Sequence, residues 1–161
     1  MTTASESSSD VEFLPLSKAA EYLLEECRMV LPGIQALFGF QLIAVFSERF
    51  ARDLSTVEHN LHLLAIGLVA LSVALIMSPA AYHRQISPTQ ITAAFIRIST
   101  RLLLASMPPL AIALCIDFYL VAQIMLGGLP ALLLTLALFA VFTLLWYVLP
   151  RMGEVRTRRG A

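Results

Sequence analysis

Four long apolar runs dominate the chain, at about Met29–Phe46, Leu61–Tyr82, Leu102–Leu126 and Leu129–Leu149, and short polar stretches separate them. Each is roughly 18 to 25 residues long, and a helix needs about 20 to cross a hydrocarbon core. The pattern predicts an all-α fold: a membrane four-helix bundle with kinked helices 1 and 3 and cytoplasmic helical extensions. A soluble bundle with unusually greasy helices is the alternative, but buried core helices carry shorter apolar stretches.

The polar positions set the boundaries. Residues 1–16 begin Ser/Thr-rich and acidic without periodicity and are expected to form a disordered N-terminal tail. Residues 17–150 make the four-span domain, and 151–161 a basic C-terminal tail. Between them, Glu25–Phe46 is the stretch around which the fold is organised. Leu16, Ala20, Leu23, Leu24, Cys27 and Leu31 share one helical face, with Glu21, Glu25 and Arg28 opposite. Pro32 then removes one backbone hydrogen bond and bends helix 1 where it enters lipid.

The connections carry their own signals. Ser55 and Glu58 have capping-box spacing, so helix 2 should start near Thr56. Helix 1 is expected to run on to about Asp53, because Phe46, Phe50 and Leu54 continue its apolar face. Ser87, Pro88 and Gln90 suggest a second box and a start for helix 3 in water, with Pro108-Pro109 kinking it later. Gly127-Gly128 followed by Pro130 leaves almost no loop, so helices 3 and 4 form an antiparallel hairpin. Trp146 and Tyr147 sit where an interfacial aromatic belt belongs.

Charge adds orientation. Four spans put both ends and the 2–3 connection on one side, which collects Lys18, Arg28, Arg84, Arg97, Arg101, Arg151, Arg156, Arg158 and Arg159. The other side has only Arg49 and Arg52. The positive-inside rule therefore predicts N-in and C-in topology, with both ends cytoplasmic. Composition agrees: 14% charged residues is well below the roughly one quarter of a soluble domain. No basic stripe with interleaved aromatics is present, which argues against nucleic acid as a partner. The partners expected are the lipid bilayer and a second copy or another membrane protein. The two cysteines, Cys27 and Cys115, fall in different layers of the bilayer and read as free thiols.

Several strings resemble a known pattern. Glu26, Arg28, Leu31-Pro32-Gly33, Gln35 and Leu37-Phe38, then Arg49-Phe50, then Pro79, Ala81-Tyr82, His83 and Arg84 resemble an uncharacterised family of small four-span bacterial membrane proteins, frequent in actinobacteria. The resemblance covers about the first half of the chain. It implies location and topology but no activity, so no catalytic residue is carried over. The chain departs from the pattern at Gln41, where the family has an aliphatic residue, and at Val45, where it often has proline.

Candidate chemistry is sparse. Asp117 lies inside the third span, about 22 Å from Leu102 at about 1.5 Å per residue. A carboxylate there costs on the order of 2.5–3.5 kcal/mol on insertion scales, so it should face the bundle interior or water. Counting rise from each edge puts Gln41, Ser72 and Thr135 at similar depth, and these four side chains form the expected polar tier. Two readings stand: an ion- or proton-handling site, or a protonated Asp117 acting as glue between helices. Gln35 and Gln123 are further buried amides, expected as packing glue. Ala70, Ala74 and Ser78, with Gly67 nearby, make a small-residue stripe that lets another helix approach, within the monomer or between subunits.

His59 and His62 have i, i+3 spacing but no evident third ligand, so they read as solvated side chains and no metal is assigned. Glu21, Glu25 and Glu26 on one extension and Arg97 and Arg101 on another suggest an acidic–basic network at the cytoplasmic lip. No HExxH, GxSxG, P-loop or dinucleotide fingerprint occurs, and neither an enzyme activity nor a cofactor is expected. The sequence thus favours a non-enzymatic oligomeric or accessory membrane component, with a small ion or proton channel or transporter built on the Asp117 tier as the alternative.

Overall fold

The first long helix forms because nothing interrupts it between Pro15 and Val45. In the computed structural model, which describes residues 14–86 and 90–152, α1 spans Leu16–Val45 and continues unbroken through Pro32. Of the tails expected at 1–16 and 151–161, residues 1–13 and 153–161 lie outside the described residues, as does the Ser87-Pro88-Thr89 signal, whereas Leu16 already belongs to α1 and Arg151 and Met152 are helical. Four helices are long and apolar enough to cross a membrane, and no strand occurs among the described residues.

Helix α1 does not reach Asp53. It ends at Val45, and a separate short helix, α2, spans Glu48–Asp53. Ser47 causes the break. Its hydroxyl donates to the Ala44 carbonyl at 2.8 Å and accepts the Phe50 N–H at 3.2 Å. One serine thereby closes the first helix and caps the next, in competition with the uninterrupted backbone ladder.

Helix α3 spans Thr56–Ile86 and starts where the capping box puts it. The Ser55 N–H donates to Glu58 Oε2 at 2.7 Å, and the Glu58 N–H donates to Ser55 Oγ at 3.4 Å. Helix α4, Ala93–Leu126, starts later than expected. Gln90, Ile91 and Thr92 are not helical, and Thr92 is the cap, accepting the Phe95 N–H at 3.2 Å.

Gly127 alone separates α4 from α5, Gly128–Thr143. Its φ of 69° and ψ of 162° belong to a region that is essentially glycine's own, and Gly128 follows at φ 40°. The predicted hairpin is therefore present. Beyond Thr143 the chain makes a π-helical turn, Leu144–Val148, that carries Trp146 and Tyr147. The hydropathy pattern gave no sign of that turn.

Three helices, α1, α3 and α4, pack on one another, whereas α5 leans on α4. Side-chain pairs fix an antiparallel α3–α4 register: His62 beside Asp117, Ser72 bonded to the Ser106 carbonyl, and Tyr82 stacked on Phe95. Ala65, Val69 and Ala113 are fully buried where α3 and α4 approach most closely. Ile34 and Cys27 bring α1 onto the same core. The small-residue stripe predicted for packing is not part of it, since Gly67, Ala70 and Ala74 are exposed. The acidic–basic network is not formed either. Glu21, Glu25, Glu26, Arg97 and Arg101 are all exposed, and none pairs with another.

Candidate functional site

Polar side chains from three helices meet at one place in this apolar molecule. Asp117 comes from α4, His62 from the second turn of α3, and Gln41 from the last turns of α1. The Gln41 amide donates from Nε2 to Asp117 Oδ2 at 2.6 Å. His62 Nδ1 lies 3.5 Å from Asp117 Oδ1, and its Nε2 lies 2.9 Å from the Gln41 backbone carbonyl oxygen. Gln41 and His62 are buried, and the Asp117 side chain is 20% exposed.

These contacts settle where the hydrogens go. A carbonyl oxygen can only accept, so His62 Nε2 carries a hydrogen and donates to Gln41. His62 Nδ1 and Asp117 Oδ1 then face each other. A single proton, on the carboxyl or on the ring, would bridge the two atoms and leave the pair neutral overall.

Two acceptors at the cluster have no hydrogen-bond partner, Gln41 Oε1 and Asp117 Oδ1. Gln41, His62 and Asp117 also line a groove of about 320 Å³ between α1 and α4, which Phe50 and Leu54 adjoin. Phe50 lies edge-on to both His59 and His62, each at 4.8 Å between ring centres. On the same helices Ala65, Val69 and Ala113 are fully buried, so the cluster sits between the groove and the core.

Of the four residues expected in one tier, two come together and two do not. Ser72 lies about 15 Å further along α3 than His62, ten residues at about 1.5 Å each. Its hydroxyl contacts the carbonyls of Leu68 and Ser106, at 2.9 and 3.2 Å. Thr135 bonds back to Ala131 at 2.9 Å and faces a separate apolar groove beside Cys115 and Tyr119. The tier drifted because depth was counted from the first apolar residue of each run, not from where each helix begins.

His62 replaces them, and the expectation that it is solvated is corrected. It is 5% exposed and contacts both other members of the cluster. A usable signal was present: His62 falls on the same face of α3 as Ala65, Val69, Ser72 and Ile76, all buried. His59 is half-buried, with Nδ1 at 2.9 Å from the Ser55 carbonyl oxygen. Among the described residues no group of three His, Cys, Asp or Glu side chains is placed to hold a metal. Of the other amides, Gln35 is exposed and Gln123 is half-buried with an unpartnered Oε1. Cys27 and Cys115 are both buried free thiols.

The resembling residues of the first half form a second feature. Arg28, Pro32, Gln35, His83 and Arg84 line one groove of about 880 Å³ between α1 and α3, at the opposite end from the Asp117 cluster. Comparison with known proteins places the whole four-helix unit. A family model described as a family of unknown function (DUF6328) matches residues 16–150, and the chain belongs to that family. No curated protein matches the chain. No solved structure matches it.

Proposed function

We propose that this family member is a non-enzymatic multi-pass protein of the bacterial cytoplasmic membrane that binds and releases a proton at the His62–Asp117 pair. The observation that carries this reading is the geometry of the cluster: one imidazole and one carboxyl face each other at 3.5 Å, in position to share a single proton, and both residues line one groove. Intramembrane carboxylates that face a cavity mark ion or proton pathways, so this placement fits a proton-loading site. Both ends of the chain lie on the cytoplasmic side, by the distribution of Lys and Arg. The test is proton movement in proteoliposomes carrying a pH-sensitive dye. Wild type should take up protons under an imposed gradient, and Asp117→Asn should not. A folded Asp117→Asn protein with unchanged behaviour, alongside silent wild type, would sink the proposal.

A second reading, a homo-oligomer or accessory subunit of another membrane protein, has its own support. Helix α5 buries only Ala131, and the small residues Gly67, Ala70 and Ala74 on α3 are exposed rather than used in the monomer. Both surfaces suit helix–helix packing in lipid. Cross-linking in native membranes tests it: a single monomeric species throughout would remove this reading.

A further inference from the structure

The groove between α1 and α3 has a composition that the His62–Asp117 site does not explain. Its polar lining consists of Arg28, Gln35, His83 and Arg84, and among the described residues it includes no carboxylate. Both arginines are exposed and make no ion pair among the described residues. Away from the arginines the lining is mainly apolar, with Leu31, Ile76 and Met77, and Gln35 lies at about the depth of Met77. Pro32 and Ala80 are small enough to leave the cleft open, and its volume of about 880 Å³ lies within the ordinary range for ligand sites.

We propose that this groove is a binding site for one anionic phospholipid, with the phosphate held at Arg28 and Arg84 and an acyl chain lying along Leu31, Ile76 and Met77. The chemistry has two halves, and both match. Two guanidinium groups at one end of a membrane helix pair take a phosphate, where arginine's planar fork bonds two oxygens at once. The mainly apolar trough that runs on from that point, with Gln35 as its one polar side chain away from the arginines, suits a hydrocarbon chain. His83 is held beside the phosphate position by packing on Phe95, at 5.4 Å between ring centres. A free phosphate ester would use the charges and leave the trough empty, so the groove as a whole fits the lipid.

The experiment is native mass spectrometry of the full chain, extracted from vesicles of equimolar phosphatidylglycerol and phosphatidylcholine. Wild type is expected to retain phosphatidylglycerol preferentially. Arg28→Gln with Arg84→Gln should lower that preference about thirtyfold, the combined effect of two arginines at an anionic headgroup. Arg97→Gln with Arg101→Gln, which removes two exposed charges outside the groove, should leave it unchanged. Ala80→Phe keeps both arginines but fills the trough, and should abolish retention of phosphatidylglycerol. Equal losses from the two arginine pairs would overturn the proposal in favour of general surface attraction. Full retention by Ala80→Phe would overturn it too, as would displacement of the bound lipid by millimolar glycerol phosphate. Should the double arginine variant fail to fold, Ala80→Phe and the glycerol phosphate competition still decide the matter.

Discussion

Asp117 Oδ1 lies 3.5 Å from His62 Nδ1, while the other nitrogen of the same ring gives its hydrogen to the Gln41 backbone, 2.9 Å away. A single imidazole therefore ties α4 to α1 through α3. This arrangement makes the protonation of the ring readable. In ¹⁵N NMR the His62 Nε2 should carry the hydrogen. A bare Nε2 would show that the Gln41 contact does not fix the tautomer.

Asp117→Asn should fold. The new amide oxygen can still accept from Gln41, and its NH₂ can donate to His62 Nδ1, so stability should change by less than about 1 kcal/mol. His62→Ala removes a donor from the Gln41 carbonyl and the partner of Asp117 Oδ1, and should cost about 1–2 kcal/mol. Thermal unfolding in detergent would order the two variants. The reverse order would mean that the carboxyl, not the ring, holds the helices together.

Ser72→Ala and Thr135→Ala address the residues that fall outside the cluster. Thr135 bonds back to its own helix, and Ser72 bonds both to its own helix and across to the Ser106 carbonyl, an interhelical contact of a kind that averages about 0.6 kcal/mol in membranes. Both variants should match wild type in any proton-uptake assay. A loss as large as that from Asp117→Asn would put these side chains back on a common path.

Glycines separate by backbone geometry rather than by crowding. A Cβ would meet no atom within 4 Å at Gly33 or at Gly127. Gly127, at φ 69°, should nonetheless lose about 1–3 kcal/mol on replacement by alanine, because that backbone region excludes side chains. Gly33 lies inside α1, so Gly33→Ala should be neutral or stabilise by up to about 1 kcal/mol. Thermal melts of the pair would check the contrast, which runs against Gly33's place in the resembling Leu-Pro-Gly string.

The capping box offers a local probe. Ser55→Ala removes the acceptor of the Glu58 N–H and should cost about 1 kcal/mol. Hydrogen exchange should rise in the first turn of α3 and stay unchanged beyond Val69. Uniform exchange along the helix would argue that tertiary packing, not the cap, sets where α3 begins.

The four long apolar helices were legible because run length and hydropathy act over some twenty residues, and small errors average out. The start of α3 and the α4–α5 hairpin were legible for a different reason: Ser55, Glu58 and Gly127 each have a local backbone job. Ser47 escaped notice because Phe46, Phe50 and Leu54 keep a helical spacing across it, and apolar period alone cannot register a hydroxyl that bonds both ways. The Asp117 cluster was half visible. An intramembrane carboxylate announces itself by cost, but its partner depends on where each helix starts and on its rotation. An error of nearly three turns in depth, about 15 Å, puts Ser72 where His62 stands and leaves His62 in water.

A turn of one residue has a bearing on biogenesis. With Gly127 as the whole connection, α4 and α5 are expected to enter a bilayer as a pair rather than one after the other. The side on which Arg97 and Arg101 come to rest thereby dictates the side of Arg151, whatever charge the last residues carry. Added lysines near the end of the chain should fail to flip the final helix, whereas a long polar insert at Gly127 would set it free to choose.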